Sequence, residues 1–207
     1  MSDDMTHEMG HESLEMGHGS PEPGHDVPAV APATSERALG LRIAVVEVER
    51  HASESGWDQP ARLFALAPTA DLAIAEPELA AELGISTAAE VLFTPVEQEL
   101  DERAGSLEDL LGRISWPVTV DGAMVVVERV VLPPEVEEEV PDDPSAAAEF
   151  AAGHDAREEV RIAAGVLRSG EAHVVLRMRS HDSDDALLHG PDLLPGLVAA
   201  VRETLEH

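Results

Sequence analysis

The chain of 207 residues has no cysteine, lysine, asparagine or tyrosine, and only two per cent of it is aromatic. Each absence removes a class of chemistry. Without cysteine there is no disulfide, no thiolate nucleophile and no thiolate-bound zinc. Without lysine there is no Schiff base and no phosphate-loop lysine. With so few aromatics the core must be aliphatic, and no basic stripe with interleaved rings offers a platform for nucleic-acid bases. Positive charge is also scarce. The 13 basic residues, all arginine, face 42 acidic ones, for a net charge of −29. Such a chain repels polyanions, so nucleic acid and anionic membrane surfaces are poor partners. No apolar run reaches the length of a membrane span, and the start lacks the basic and apolar regions of a secretory signal. The expected setting is cytoplasmic. Lysine, asparagine and tyrosine share A/T-rich codons, so their joint absence points to a G/C-rich genome.

What is present divides into two parts. Residues 1–33 carry the tetrapeptide EMGH twice, with His7, His11, His18, His25, Met5, Met9 and Met16, and close on a proline-rich stretch. They hold seven acidic residues and no basic one, so the remainder keeps a net charge of −22. A segment so poor in apolar periodicity cannot offset the entropy of ordering it, and a disordered acidic tail is expected. Histidine and methionine could gather around copper, nickel or zinc there. Residues 34–207 contain the apolar material, in a chain that is 43 % apolar overall, and suit one α+β domain.

The periodicities predict a helix capped by Ser35 and stopped near Gly56, a strand over Arg62–Ala67, and a helix over Thr69–Leu83 broken at Pro77. A strand over Val91–Glu97 carries Pro95, which places it at an edge. Ser106 opens a capping box before Leu107, Leu110, Leu111 and Ile114. Ala123–Leu132 is nearly all apolar and reads as a central strand buried on both faces. A short helix over Ser145–Ala152 follows an acidic loop. Val160–Arg168 and Glu171–Arg179 flank Ser169-Gly170, a two-residue hairpin signal that sets Arg168 opposite Glu171 and Ile162 opposite Arg177. Asp192 is placed to cap a last helix with the stripe Leu194, Leu197, Val198, Val201 and Leu205. The expected fold is a mainly antiparallel sheet of about five strands with helices packed on one face.

Three strings, WDQPARLFAL (57–66), EEVRIAAGVLRSG (158–170) and LRMRSHDSDDALLHGPDLLPGL (176–197), resemble a family of uncharacterised cytoplasmic proteins of high-G/C actinobacteria. The likeness runs from about residue 35 to the end and leaves out the tail. It implies no activity and no catalytic residues, because that family has none assigned.

The candidate sites come from the residues themselves. Trp57 and Asp58 sit in a loop before a proline and could line a pocket or anchor the loop on the sheet. Arg161, Arg168, Arg177 and Arg179 concentrate positive charge on one hairpin. Alternation in its second strand sends Val174, Leu176 and Met178 to one face, and His173, Val175, Arg177 and Arg179 to the other. With helices on one face only, that second row would be an open, cation-bearing surface for an anionic partner, unless the arginines pair with the chain's own carboxylates. His181, Asp182, Asp184 and Asp185 could supply nitrogen and oxygen ligands to a divalent ion, or form a polar loop. Adjacent residues in extended chain point apart, so Ser180-His181-Asp182 is not a catalytic triad. The first expectation is a non-enzymatic protein-binding or adaptor domain with no cofactor, whose partner is another protein. The alternative is a metal-dependent hydrolase or other enzyme centred on the 181–185 loop.

Overall fold

A computed structural model describes residues 35–82, 84–85, 91–100 and 107–206. The tail of residues 1–33 and the capping box at Ser106 lie outside them. Helix α1 (Glu36–Glu54) begins at its expected cap. The Ser35 hydroxyl accepts a hydrogen bond from the Ala38 amide at 3.0 Å, satisfying one of the free donors of the first turn. Leu41, Ala44, Val45, Val48 and Ala52 recur at helical spacing and are buried. Two short helices, α2 (Thr69–Ala75) and α3 (Pro77–Glu82), meet at the expected break, because Pro77 cannot continue the hydrogen-bond ladder of α2. The remaining helices are α4 (Leu107–Leu111), α5 (Pro144–Gly153) and α6 (Pro195–Glu203).

Six strands form one sheet in the order β2-β1-β3-β4-β5-β6: β1 (Arg62–Pro68), β2 (Phe93–Gln98), β3 (Gly122–Val131), β4 (Glu158–Leu167), β5 (Ala172–Met178) and β6 (Leu188–Gly190). Every neighbouring pair is antiparallel. The α+β, antiparallel class is therefore as expected. The sheet has one strand more than the sequence suggests, because β6 is only three residues long and too brief to show a period. Proline-bearing β2 is an edge strand, and β3 lies inside the sheet with Gly122–Val127 buried.

Helices cover both faces of the sheet, not one. On one face α1 packs over Phe64, Leu66, Met124, Val126, Ala163, Leu167 and Val175. On the other, Leu111, Trp116, the α6 residues Val198 and Val201, and Leu205 just past the helix end pack over Leu63, Val125, Val127, Ile162, Ala164, Val166 and Val174. The physical reason is in β3 and β4. Over Gly122–Val127 and Ile162–Leu167 both of their alternating rows are apolar, and a strand apolar on both sides needs cover on both. Gly165 marks how closely α1 approaches, since a Cβ there would stand 2.7 Å from Val45 Cγ2.

The β4–β5 hairpin differs by one residue from its expected register. Val166 faces Ala172, Ile162 faces Leu176 and Arg161 faces Arg177. The turn is three residues, Arg168-Ser169-Gly170, with Gly170 at φ +105°. It is closed by Gly170 N–H donating to the Leu167 carbonyl and Leu167 N–H donating to the Glu171 carbonyl, both at 2.9 Å. Glycine in the left-handed region is what a three-residue hairpin loop requires. Arg168 then leaves the ladder and donates to the carbonyls of Val120 at 2.8 Å and Trp116 at 3.1 Å, tying the turn to the loop before β3. The cap of α6 also differs. Leu194, at φ +50°, stands before the helix with no side-chain cap in place of Asp192. Pro195 at the first turn disfavours the right-handed helical region for the residue before it.

Candidate functional site

Pairing across three strands sets Glu128 beside Arg161 and Arg161 beside Arg177, on the face that α1 covers. Two arginines directly opposite each other would repel. Glu49, one turn from the end of α1, comes down between them. Its carboxylate takes Arg177 in a two-pronged pair, with Nε to Oε1 at 2.7 Å and Nη2 to Oε2 at 2.8 Å, and stands 3.9 Å from Arg161 Nη1. Arg161 donates to Glu128 Oε1 at 2.8 Å and to the Gly56 carbonyl. Glu49, Arg161 and Arg177 are 0 %, 1 % and 2 % exposed, so all three charges have left water and depend on one another. The hydrogen bonds that Arg177 donates to Glu49, and then to Asp184, hold its guanidinium above its usual range against the opposing effect of burial.

Two loops close over this row. The Arg161 guanidinium lies 4.5 Å from the Trp57 ring centroid, with Arg179 at 5.4 Å. Trp57 Nε1 donates to Asp182 Oδ2 at 2.9 Å. Asp58 is held at φ +65°, and its amide donates to Glu128 Oε2 at 2.6 Å. Its carboxylate accepts both Arg179 Nη groups at 3.1 and 3.0 Å, and that hydrogen bonding lowers its pKa. Arg179 also pairs with Glu159. Arg177 reaches Asp182 at 3.3 Å and Asp184 at 2.7 Å, and Arg50 of α1 stands 3.3 Å from the second oxygen of Asp184. Arg177 first, then Arg50, lowers the Asp184 pKa.

The fold thus brings Trp57, Asp58, Arg177, Arg179, Asp182 and Asp184 into one corner, where parts of all three strings that carry the family resemblance meet. His173 lies away from it, buried near the start of β5. The expected open row is closed. His173, Val175 and Arg177 are all buried on the face that α1 covers, and Arg177 is in a buried pair. Only Arg179, in a 3₁₀ turn after β5, remains exposed. The 181–185 loop does not converge on a point. Asp182 and Asp184 turn to Arg177, and His181 is hydrogen-bonded to Ser180 at 2.8 Å. Among the described residues no group of three or more histidine, aspartate or glutamate side chains is placed to hold a metal ion. Glu49 and Glu128 were not singled out from the sequence. The signal for Glu128 is the Glu128-Arg129 pair of charges inside a strand whose other residues are all apolar, since a charge drawn partly out of water needs a partner.

The opposite face carries a groove. Helix α4 has five residues and α6 nine, and between them a concavity of about 410 Å³ opens onto the central strands. Val127 and Ile162 form its floor, Leu107 and Leu111 one wall, and Leu197 and Ala200 the other, with Arg129 the one charged residue among the described residues of the lining. A concave, mostly apolar site of this size with a few polar groups is the usual form of a binding cleft.

Among the described residues no helix is long and apolar enough to cross a membrane. A family model described as PPA1309-like protein matches residues 41–206. No curated protein and no solved structure matches the chain.

Proposed function

The chain belongs to the PPA1309-like protein family, whose match spans the whole sheet, and we propose that this domain is a non-enzymatic protein-binding module. The observation that carries the reading is the apolar groove between α4 and α6. Its occupant is an apolar segment of a partner protein, seated over Val127 and Ile162. The partner's flanks are basic, because a chain of net charge −29 attracts positive charge and repels nucleic acid and anionic membranes. The ion-paired corner supports the non-enzymatic half of the reading. Its arginines and carboxylates are spent on one another, which suits architecture better than an anionic ligand or catalysis. The composition supports a cytoplasmic setting and a G/C-rich genome, and the resemblance carried by the three strings supports an origin in an actinobacterium.

The test fills the groove. Ala200→Trp places a large side chain between the helices, and Arg129→Glu reverses the charge at the rim. Proteins retained from lysate by the wild-type chain at low salt should be lost with Ala200→Trp, while the circular-dichroism spectrum and melting curve stay as they were. The same proteins bound equally by a folded Ala200→Trp chain would sink the reading. So would a wild-type dimer dissociated by Ala200→Trp, since a second copy would then occupy the groove.

A further inference from the structure

His173 has two features that neither the corner nor the groove uses. It is 8 % exposed, and its Nε2 has no hydrogen-bond partner. A buried ring nitrogen without a partner is unfavourable, which asks what the position is for. The strand pairing supplies a neighbour. His173 and Val175 share the α1 face of β5, and Val175 faces His189 on β6, so the two histidines are diagonal neighbours at the edge of the sheet. Their rings stand edge-to-face with centroids 5.7 Å apart.

That separation has a chemical meaning. With a ring nitrogen roughly 1.1 Å from its centroid and a metal–nitrogen bond of about 2.0–2.1 Å, two imidazoles sharing one ion have centroids about 5.2 Å apart at a tetrahedral angle and no more than about 6.4 Å apart in line. The observed pair falls inside this window. We infer that His173 and His189 form a two-histidine site for a divalent transition metal that prefers nitrogen ligands, such as zinc or nickel, at the β5–β6 edge. His173 Nε2, buried and without a hydrogen-bond partner, is a ring nitrogen that no other group among the described residues uses. His189 is exposed and leaves the outer coordination positions to water. Arg42, on the neighbouring turn of α1, places a positive charge close enough to act on His173 and so weakens the site. This site is independent of the groove.

The test uses the full chain with His7, His11, His18 and His25 changed to alanine, so that the first 33 residues contribute no imidazole. Titration with zinc chloride in a calorimeter should give one ion per chain, and the melting midpoint should rise by about 5 °C or more at a hundredfold excess over Kd. His189→Ala should abolish both effects and leave the metal-free midpoint unchanged, because the side chain is exposed. Arg42→Gln should tighten binding by about threefold or more, as a nearby like charge is removed. Absence of a site in the parent chain, or equal affinity in His189→Ala, overturns the inference.

Discussion

At the scale of single residues, the buried charges govern what substitution does. Arg177→Ala leaves the Glu49 carboxylate wholly buried with only Arg161, 3.9 Å away, as counter-charge. The expected loss is about 3–5 kcal/mol, read from urea denaturation. Arg179→Ala removes pairs that lie in water and should cost much less than Arg177→Ala. Equal losses would show that the corner does not rest on Glu49. His173 sets a dependence on pH. Its folded pKa, about 4, lies below the ordinary value of 6.5 because burial, then His189 and Arg42, disfavour the charged ring. The unfolded chain therefore takes up a proton first as pH falls. Stability is lost between about pH 6.5 and about pH 4, by at most about 3 kcal/mol, and this contribution is flat below. His173→Gln removes a titrating group and keeps a polar side chain. Urea titrations at pH 7 and pH 4.5 should show a smaller acid loss in the variant than in the wild type; identical losses would mean that the carboxylates alone carry the acid sensitivity.

At the scale of elements, what could be read from the sequence was local. Ser35, the break at Pro77, edge strand β2 and central β3 follow from a cap, a ring, a missing donor and the apolar run Ala123–Val127, each acting within a few residues; beyond it, from Glu128 on, the strand comes out of the core. What could not be read was non-local. Ser169-Gly170 suits a two-residue or a three-residue loop equally well in letters, and only the pairing of Arg161 with Arg177 separates them. Glu49 and Arg177 are 128 positions apart, so no window along the chain shows their pair. The cover of both sheet faces was legible in principle from the two apolar rows of Ile162–Leu167, although Glu159 and Arg161 in one of them suggest an open face. Two glycines test these elements. Gly165→Val drives a branched side chain into Val45, where even a Cβ would meet Cγ2 at 2.7 Å, and should cost about 1–3 kcal/mol or more by lifting α1 from the sheet. Gly170→Ala meets no neighbour within 4 Å but must hold φ +105°, so its cost of about 1 kcal/mol is purely backbone strain. Chemical denaturation ranks them; a costlier Gly170→Ala would place the turn, not the helix seat, at the centre of the fold.

At the scale of the whole molecule, charge sets two responses to salt with opposite signs. With 42 acidic and 13 basic residues, at least 29 carboxylates have no arginine to match them one for one, and their mutual repulsion opposes compaction. Raising ionic strength from about 0.01 M to about 0.15 M shortens the screening length from about 30 Å to about 8 Å, which relieves this repulsion. The same salt weakens the exposed pairs, Arg179 with Asp58 and Arg50 with Asp184, but pairs in water contribute little. The Glu49–Arg177 pair is buried and responds little. The melting midpoint should therefore rise with sodium chloride over this range. Association with a basic partner should respond the other way, because the field that draws the partner to the groove is screened as the repulsion is. Its association rate, followed by stopped flow, should fall over the same interval in which the midpoint climbs. A midpoint that falls would mean that the surface pairs outweigh the repulsion, and an association rate indifferent to salt would mean that the groove recognises apolar shape without charge.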